Sequence, residues 1–189
     1  MKLLNEAGWK IQNNKLVNTT TGQPFEFNLT IYNPDYQRIA LPFKANLEKL
    51  GITMNVRLMD MSQYIKTLRN FDFDMIIAGI PQSLSPGNEQ RDYWSSTLVD
   101  QPGSKNLMGV KSPVVDEIVE KLINANSRNE QLTACRALDR VLLNGYYVIP
   151  QWHISVFRVA YWNKFEMPPT PPLYSSFSIN NWWIKQTAP

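Results

Sequence analysis

"FDMIIAGIPQSLSPGNEQRDYW", Phe73 to Trp94, holds the reading that decides the fold. Its first half, Met75 to Ile80, is apolar without alternation, the pattern of a strand covered on both faces in a largely parallel sheet. Its second half is polar and carries two prolines, Pro81 and Pro86, which cannot continue a strand. In open α/β sheets, binding crevices lie just beyond the carboxyl ends of such strands. Ile80 to Trp94 is therefore expected to be a ligand-facing loop.

Upstream, two further strands are legible. In "FEFNLTI" Phe25, Phe27, Leu29 and Ile31 alternate with polar residues, which places the four on one sheet face. "ITMNVRL" repeats this with Ile52, Met54, Val56 and Leu58. Between them, Asn33 and Pro34 supply a helix start, Ile39, Phe43, Leu47 and Leu50 recur at helical spacing, and Gly51 stops the segment. Pro42 either kinks that helix or marks its true beginning. Asp60 to Asn70 is a second helix with Tyr64, Ile65 and Leu68 on one face, and Lys2 to Ala7 reads as a helix end closed by Gly8.

Downstream, Ser112 and Pro113 start a helix striped by Val115, Ile118, Val119 and Leu122. Ser127 with Glu130 forms a capping box for another, whose stripe runs through Leu132, Cys135, Leu138, Val141 and Leu142 to Gly145. Tyr147 to Tyr161 reads as one or two strands interrupted by Pro150. Pro168, Pro169, Pro171 and Pro172 then make a stiff connector before the aromatic "NNWWI". The class is α/β, a mixed, largely parallel sheet with flanking helices.

With 189 residues, 43% of them hydrophobic, the chain can bury the core of one ordinary domain. Lys and Arg are interspersed with Asp and Glu at a net charge of +3, so no basic tract invites nucleic acid. No apolar run reaches the roughly 18 to 20 residues of a membrane span. The opening "MKLLNEAGWK" has neither the apolar core nor the cleavage site of a signal peptide, so any such signal is expected upstream.

Chemistry is thinly signalled. Cys135 lies on an apolar stripe and suits core packing better than nucleophilic attack. His153 is the single histidine, in "PQWHI", and is read equally as a binding or hinge residue and as an ordinary hydrogen-bonded one. No nucleophile elbow, dinucleotide fingerprint or phosphate loop is present, and one His with one distant Cys offers no metal-ligand spacing. No catalytic residue, metal or cofactor is expected. A hydrolase using His153 with Ser83 or Asp92 is the alternative from another class. Trp94 and Trp152 fall at predicted strand exits, where a flat ring can line a cleft.

Taken together, "LLNEAGW" (3 to 9), "LEKLGI" (47 to 52), "FDFDMIIAGI" (71 to 80), "NLMGVKSPVVDEIVEKL" (106 to 122) and "YVIPQWH" (147 to 153) resemble the second half of the solute-binding family 5 receptors of ABC importers. "SPGNEQRDYW" with "RALDRVLLNGYYVIPQWH" is most similar to the family's YejA-type branch, tied to oligopeptide uptake. The resemblance implies a periplasmic-binding-protein-like type II lobe, with residues 1–151 supplying the second lobe of a longer two-lobed periplasmic protein. Residues 152–189 would return across the hinge, the proline connector and aromatic tail docking on the first lobe. The implied partners are an oligopeptide and the permease subunits of the importer. An oligosaccharide-binding relative using its tryptophans as stacking platforms is a further alternative.

One departure concerns the ligand. Many peptide binders of this family carry a pattern like G-W-x-x-D after the central strand, whose Asp pairs with the peptide's free amino terminus. Here Gly79 is followed by Ile80, Pro81, Gln82 and Ser83, so Ile80 replaces the Trp and Ser83 the Asp. The expected ligand is a peptide blocked or modified at its N-terminus, or anchored by another group. Expected ligand contacts are Ile80, Gln82, Ser83, Ser85, Asn88, Arg91, Trp94, Asn106, Trp152 and His153. Asn88, Glu89 and Arg91 equally suit capping a short helix and bracing the loop.

Overall fold

A computed structural model describes residues 1–151, 156, 158–170 and 178–185. Helix α1 (Lys2–Glu6) ends as expected at Gly8, whose φ of +81° is the left-handed conformation glycine tolerates best. A hairpin not foreseen from the sequence follows, β1 (Trp9–Gln12) and β2 (Lys15–Asn18). Asn13 and Asn14 turn it with φ of 50° and 61°, as a two-residue hairpin turn requires.

The sheet is wholly parallel, with β3 (Glu26–Ile31) central between β4 (Thr53–Leu58) and β5 (Met75–Ile76). Helix α2 (Gln37–Glu48) crosses from β3 to β4 after a short 3-10 turn over Pro34–Tyr36, capped by the Asn33 side chain. Pro42 lies inside α2, so it is not the start of the helix. It is exposed and so is Arg38, whose carbonyl loses its helical donor but can face water. Leu29, Ile31, Ala40 and Met54 form the core between sheet and helix, flanked by Phe27, Phe43, Leu47 and Val56.

Helix α3 (Met61–Arg69), capped by Asp60, follows β4. It buries Tyr64 and Thr67, whereas Ile65, expected on the packed face, is 41% exposed. The expectation for β5 is corrected in part. It pairs only with β3, two of its residues are in register, and Met75 to Ile77 are half-buried, so it is a short edge strand and not one covered on both faces. Its neighbour β3 runs for six residues but bonds β5 only at Leu29 and Thr30, and among the described residues nothing pairs with the other edge of β5.

A second, helical core lies after β5. Helices α4 (Glu89–Trp94), α5 (Pro113–Ile123) and α6 (Arg128–Asn144) gather Trp94, Val110, Val115, Val119, Leu122 and Leu138. The caps are those expected: Ser112 accepts from Val115 N, and Ser127 from Glu130 N at 3.2 Å. Glu130 reaches back one residue further than in a standard box, to Asn126 N at 2.8 Å. Cys135 is half-buried against this core, and burial pushes its thiol pKa up, whereas Leu132 at the start of the expected stripe is 36% exposed. Gly145 follows α6 with an ordinary helical φ of −78°, and a Cβ there would lie 2.1 Å from the ring of Tyr147. The left-handed residue is Tyr146, at φ 53°.

The expected strands over Tyr147 to Tyr161 are absent among the described residues of that range. Val148 and Ile149 are 47% and 54% exposed, and among the described residues no strand lies alongside to accept their backbone bonds. The tail forms a small hairpin, β6 (Phe165–Glu166) with β7 (Trp183–Ile184), in which Trp183 Nε1 donates to Glu166 at 3.0 Å.

Candidate functional site

The chain leaves β5 at Ile77 and runs irregularly to Asn88, then through α4 and a 3-10 turn over Ser96–Leu98 to α5. Much of this segment's polarity is spent on itself. Gln90, 2% exposed, donates through Nε2 to Gln82 Oε1 at 2.7 Å and accepts from Trp94 Nε1 at 3.0 Å. Asn106, fully buried, donates to the carbonyls of Ser95 (3.0 Å) and Val110 (2.8 Å) and accepts from Val110 N at 2.9 Å. Such side-chain bonds replace the ladder that a loop lacks.

The expected ligand contacts divide accordingly. Trp94 is 8% exposed in the helical core, and Asn106 is the fastener of the loop, so neither faces solvent. Arg91 makes a two-pronged pair with Glu120, Nε to Oε1 at 2.5 Å and Nη2 to Oε2 at 2.6 Å, and donates through Nη1 to Asn88 Oδ1 at 3.0 Å. Asn88 and Arg91 thus brace α4 against α5. Gln82, Ser83 and Ser85 stay on the exposed side of the loop, with Ile80 half-buried at its root. Trp152 and His153 lie outside the described residues.

The four carboxylates between residues 80 and 116 are all engaged. Glu89 accepts from Gly87 N at 2.8 Å, which with the Gln90 amide holds its carboxyl below the usual range. Asp92 is paired with Lys105 at 3.1 Å and Asp100 with Lys111 at 3.3 Å. Asp116 accepts from the backbone N of Ser96 at 2.8 Å and from the Ser96 hydroxyl. An ammonium group arriving at this loop finds no uncommitted acid. Among the described residues, no group of three or more His, Cys, Asp or Glu side chains could hold a metal ion.

Two features escaped the sequence reading. At the carboxyl end of the sheet, Tyr32 lies against Tyr64 (ring centroids 4.9 Å) and edge-on to Tyr36 (6.0 Å), while Tyr64 Oη donates to Ile77 O at 3.4 Å. Burial raises the Tyr64 hydroxyl pKa, and neighbouring Tyr32 raises that of Tyr36. Three tyrosines from three elements carry no shared period, but Tyr32 directly after a strand was a signal. The second feature is a groove of about 310 Å³ between α3 and the loop, lined by Ile65, Leu68, Ile80, Tyr93, Leu107 and Met108, with Arg69 and Lys105 also on its wall.

Residues 1–102 match the family model described as bacterial extracellular solute-binding proteins, family 5 Middle. The probable peptide-binding protein YejA of Agrobacterium fabrum is 44% identical over 183 residues, 97% of this chain and 30% of that protein. The peptidoglycan-binding protein YepA of the same organism is 38% identical over 180 residues, 95% of this chain and 29% of that protein. This chain thus spans less than a third of the length of either relative. Among solved structures, the oligopeptide-binding protein AppA of Bacillus subtilis, in complex with a nonapeptide, superposes with a TM-score of 0.71 at 20% identity, covering 98% of this chain and 36% of that one. That likeness is one of fold.

Proposed function

The chain belongs to the bacterial extracellular solute-binding proteins of family 5, a family of binding proteins and not of enzymes, and from that premise we propose that it is part of the receptor of an ABC-type oligopeptide importer. In this reading residues 1–151 are the second lobe of a periplasmic protein that closes over a peptide and delivers it to the permease. Residues 152–189 return across the hinge toward the first lobe. The observation that carries the peptide assignment is the 44% identity, over 97% of this chain, to part of a relative described as a probable peptide-binding protein. The exposed loop beyond β5, with Gln82, Ser83 and Ser85 on its surface, supplies the ligand-facing edge in the position that open α/β sheets use.

The ligand's amino terminus is not read as a charged ammonium. Ser83 stands where many of these receptors carry an Asp, and Glu89 and Asp92 are already bonded within the chain. A buried ammonium without a partner costs several kcal/mol. Peptides acylated at that end avoid the cost. Peptidoglycan fragments that keep an amide on the amino group of the stem peptide's first residue are a second reading, favoured by the 38% identity to a relative described as peptidoglycan-binding.

Calorimetry of the full-length protein with matched peptides, free and formylated at the N-terminus, tests this. Equal or tighter binding of the formylated peptide is expected. Weakening by more than about tenfold, or about 1.4 kcal/mol, overturns the blocked-terminus reading.

A further inference from the structure

The side-chain amide of Gln90 is held between a group that can only donate and a group that can only accept. Trp94, one turn along α4, donates its Nε1–H to Gln90 Oε1 at 3.0 Å, and an indole nitrogen has no lone pair to offer in return. On the other side, Gln90 Nε2 donates to Glu89 Oε1 at 3.2 Å. The Gly87 amide, and after it Gln90 itself, keep the Glu89 carboxyl below its ordinary range, so it stays an ionised acceptor. A carboxamide can be turned over to exchange its nitrogen and oxygen. Here a turned Gln90 would set N–H against the indole N–H and oxygen against a carboxylate, and at 2% exposure solvent relieves neither clash.

That direction is passed outward. Gln90 Nε2 also donates to Gln82 Oε1 at 2.7 Å, so the oxygen of Gln82 is taken and its NH2 group is what remains. Gln82 is exposed, lies outside the wall of the apolar groove, and its Nε2 has no partner among the described residues. The stretch that carries it is tied down further on, where Pro86 O accepts from Gln131 Nε2 of α6 at 2.9 Å. We propose that Gln90 is a positioning residue: with Trp94 and Glu89 it sets the polarity of the Gln82 amide, so that the loop beyond β5 offers a ligand a hydrogen-bond donor and not an acceptor. The proposal rests on the peptide-binding reading above and deepens it. A donor matches the carbonyl oxygen of an acylated chain end, whereas a free ammonium, itself only a donor, meets N–H against N–H. The preference is then held in a buried residue that never touches the ligand.

The full-length protein, isotope-labelled at its glutamine side chains, gives the first test with no ligand added. In NMR the Gln90 NH2 protons should exchange with solvent far more slowly than those of Gln82. Equal rates, or protection at Gln82 alone, overturn the proposal. The swap Glu89→Gln with Gln90→Glu keeps the net charge and makes position 90 an acceptor only, for Trp94 and Gln82 alike. It should protect the Gln82 NH2 group and turn the Gln82 oxygen outward, whereas a merely structural Gln90 would leave that signal where it was. Binding is then read with matched peptides, formylated and free at the N-terminus. In the swapped variant the ratio of the two affinities should move about tenfold toward the free peptide, or about 1.4 kcal/mol. Gln90→Leu, which neither donates nor accepts, serves where the swap does not fold, and should erase the wild-type preference without reversing it. A ratio that neither variant moves overturns the proposal and leaves the receptor function standing. Wild-type protein that binds neither peptide overturns the receptor reading, and with it the ligand that the Gln82 donor would meet, whatever the exchange rates.

Discussion

The sheet half and the helical half of this chain hold themselves together by different means. Around β3, backbone ladders do the work and side chains fill one apolar face: Leu29, Ile31 and Met54 are each 3% exposed or less. Around α5, an equally apolar core of Val115, Val119 and Leu122 is reached through a long irregular segment, and that segment is secured by the buried amides of Gln90 and Asn106. A ladder distributes its cost over many bonds. A fastener concentrates it in one residue, so single polar substitutions should hurt the second half far more than the first.

The largest effects sharpen the comparison by striking both cores. Leu122→Ala and Met54→Ala each remove a fully buried side chain and should cost about 2 to 5 kcal/mol in denaturant unfolding. Hydrogen exchange should then accelerate in α5 and α6 for the first and in β3 and β4 for the second. Equal acceleration everywhere would show that the two cores unfold as one and break the distinction. Next comes Asn106→Ala, which strands the buried N–H and carbonyl of Val110 and should cost about 2 to 3 kcal/mol. On the sheet, Asn55 bonds Glu26 at an exposed position, so Asn55→Ala should cost a few tenths of that.

Smaller still is the pH response. Glu89, Glu117 and Glu120 are held below their ordinary value of 4.5, by the Gly87 amide, Lys121 and Arg91 respectively. A lowered carboxyl pKa means the folded state binds fewer protons, so the stability these groups add is present above that value and is lost as pH falls through their folded values. Acid titration below pH 4.5 should therefore loosen the helical half first, because all three residues lie on α4 and α5. The smallest expected effect is that of Arg91→Met, a slight shift in the unfolding midpoint that vanishes in high salt, because its pair with Glu120 is solvent-exposed. Exchange data showing the sheet loosening first in acid would reverse the ranking.

How much could be read beforehand follows the same divide. The alternation in "FEFNLTI" and "ITMNVRL", and the helix starts at Asn33, Ser112 and Ser127, depend on neighbours in sequence, and they reappear as β3, β4 and capped turns or helices. The hairpin at Asn13-Asn14 carries a turn signal in its Asn pair, but flanks of four residues each are too short for an alternation to stand out. The extent of β5 was not legible, because it depends on how many of its residues meet β3, and only Met75 and Ile76 do. At the candidate site the polarity of Ile80 to Trp94 was plain, but which polar groups face a ligand and which face each other is a question of partners 13 to 45 residues away, such as Asp92 with Lys105, Arg91 with Glu120 and Pro86 with Gln131. Residue type announces capacity to bond. It does not name the partner.

The crossover that builds the sheet also gives the molecule an order in time. Strands β3 and β4 can meet only after α2 and its turns have spanned the 21 residues between Ile31 and Thr53, whereas α5 and α6 are separated by 4 residues, Asn124 to Ser127. Closing the longer, parallel connection comes at a greater loss of chain freedom before any ladder bond repays it. In refolding, the α5–α6 pair should gain its protection first and the sheet afterwards, so the edge of β5 is the surface left open longest to other chains.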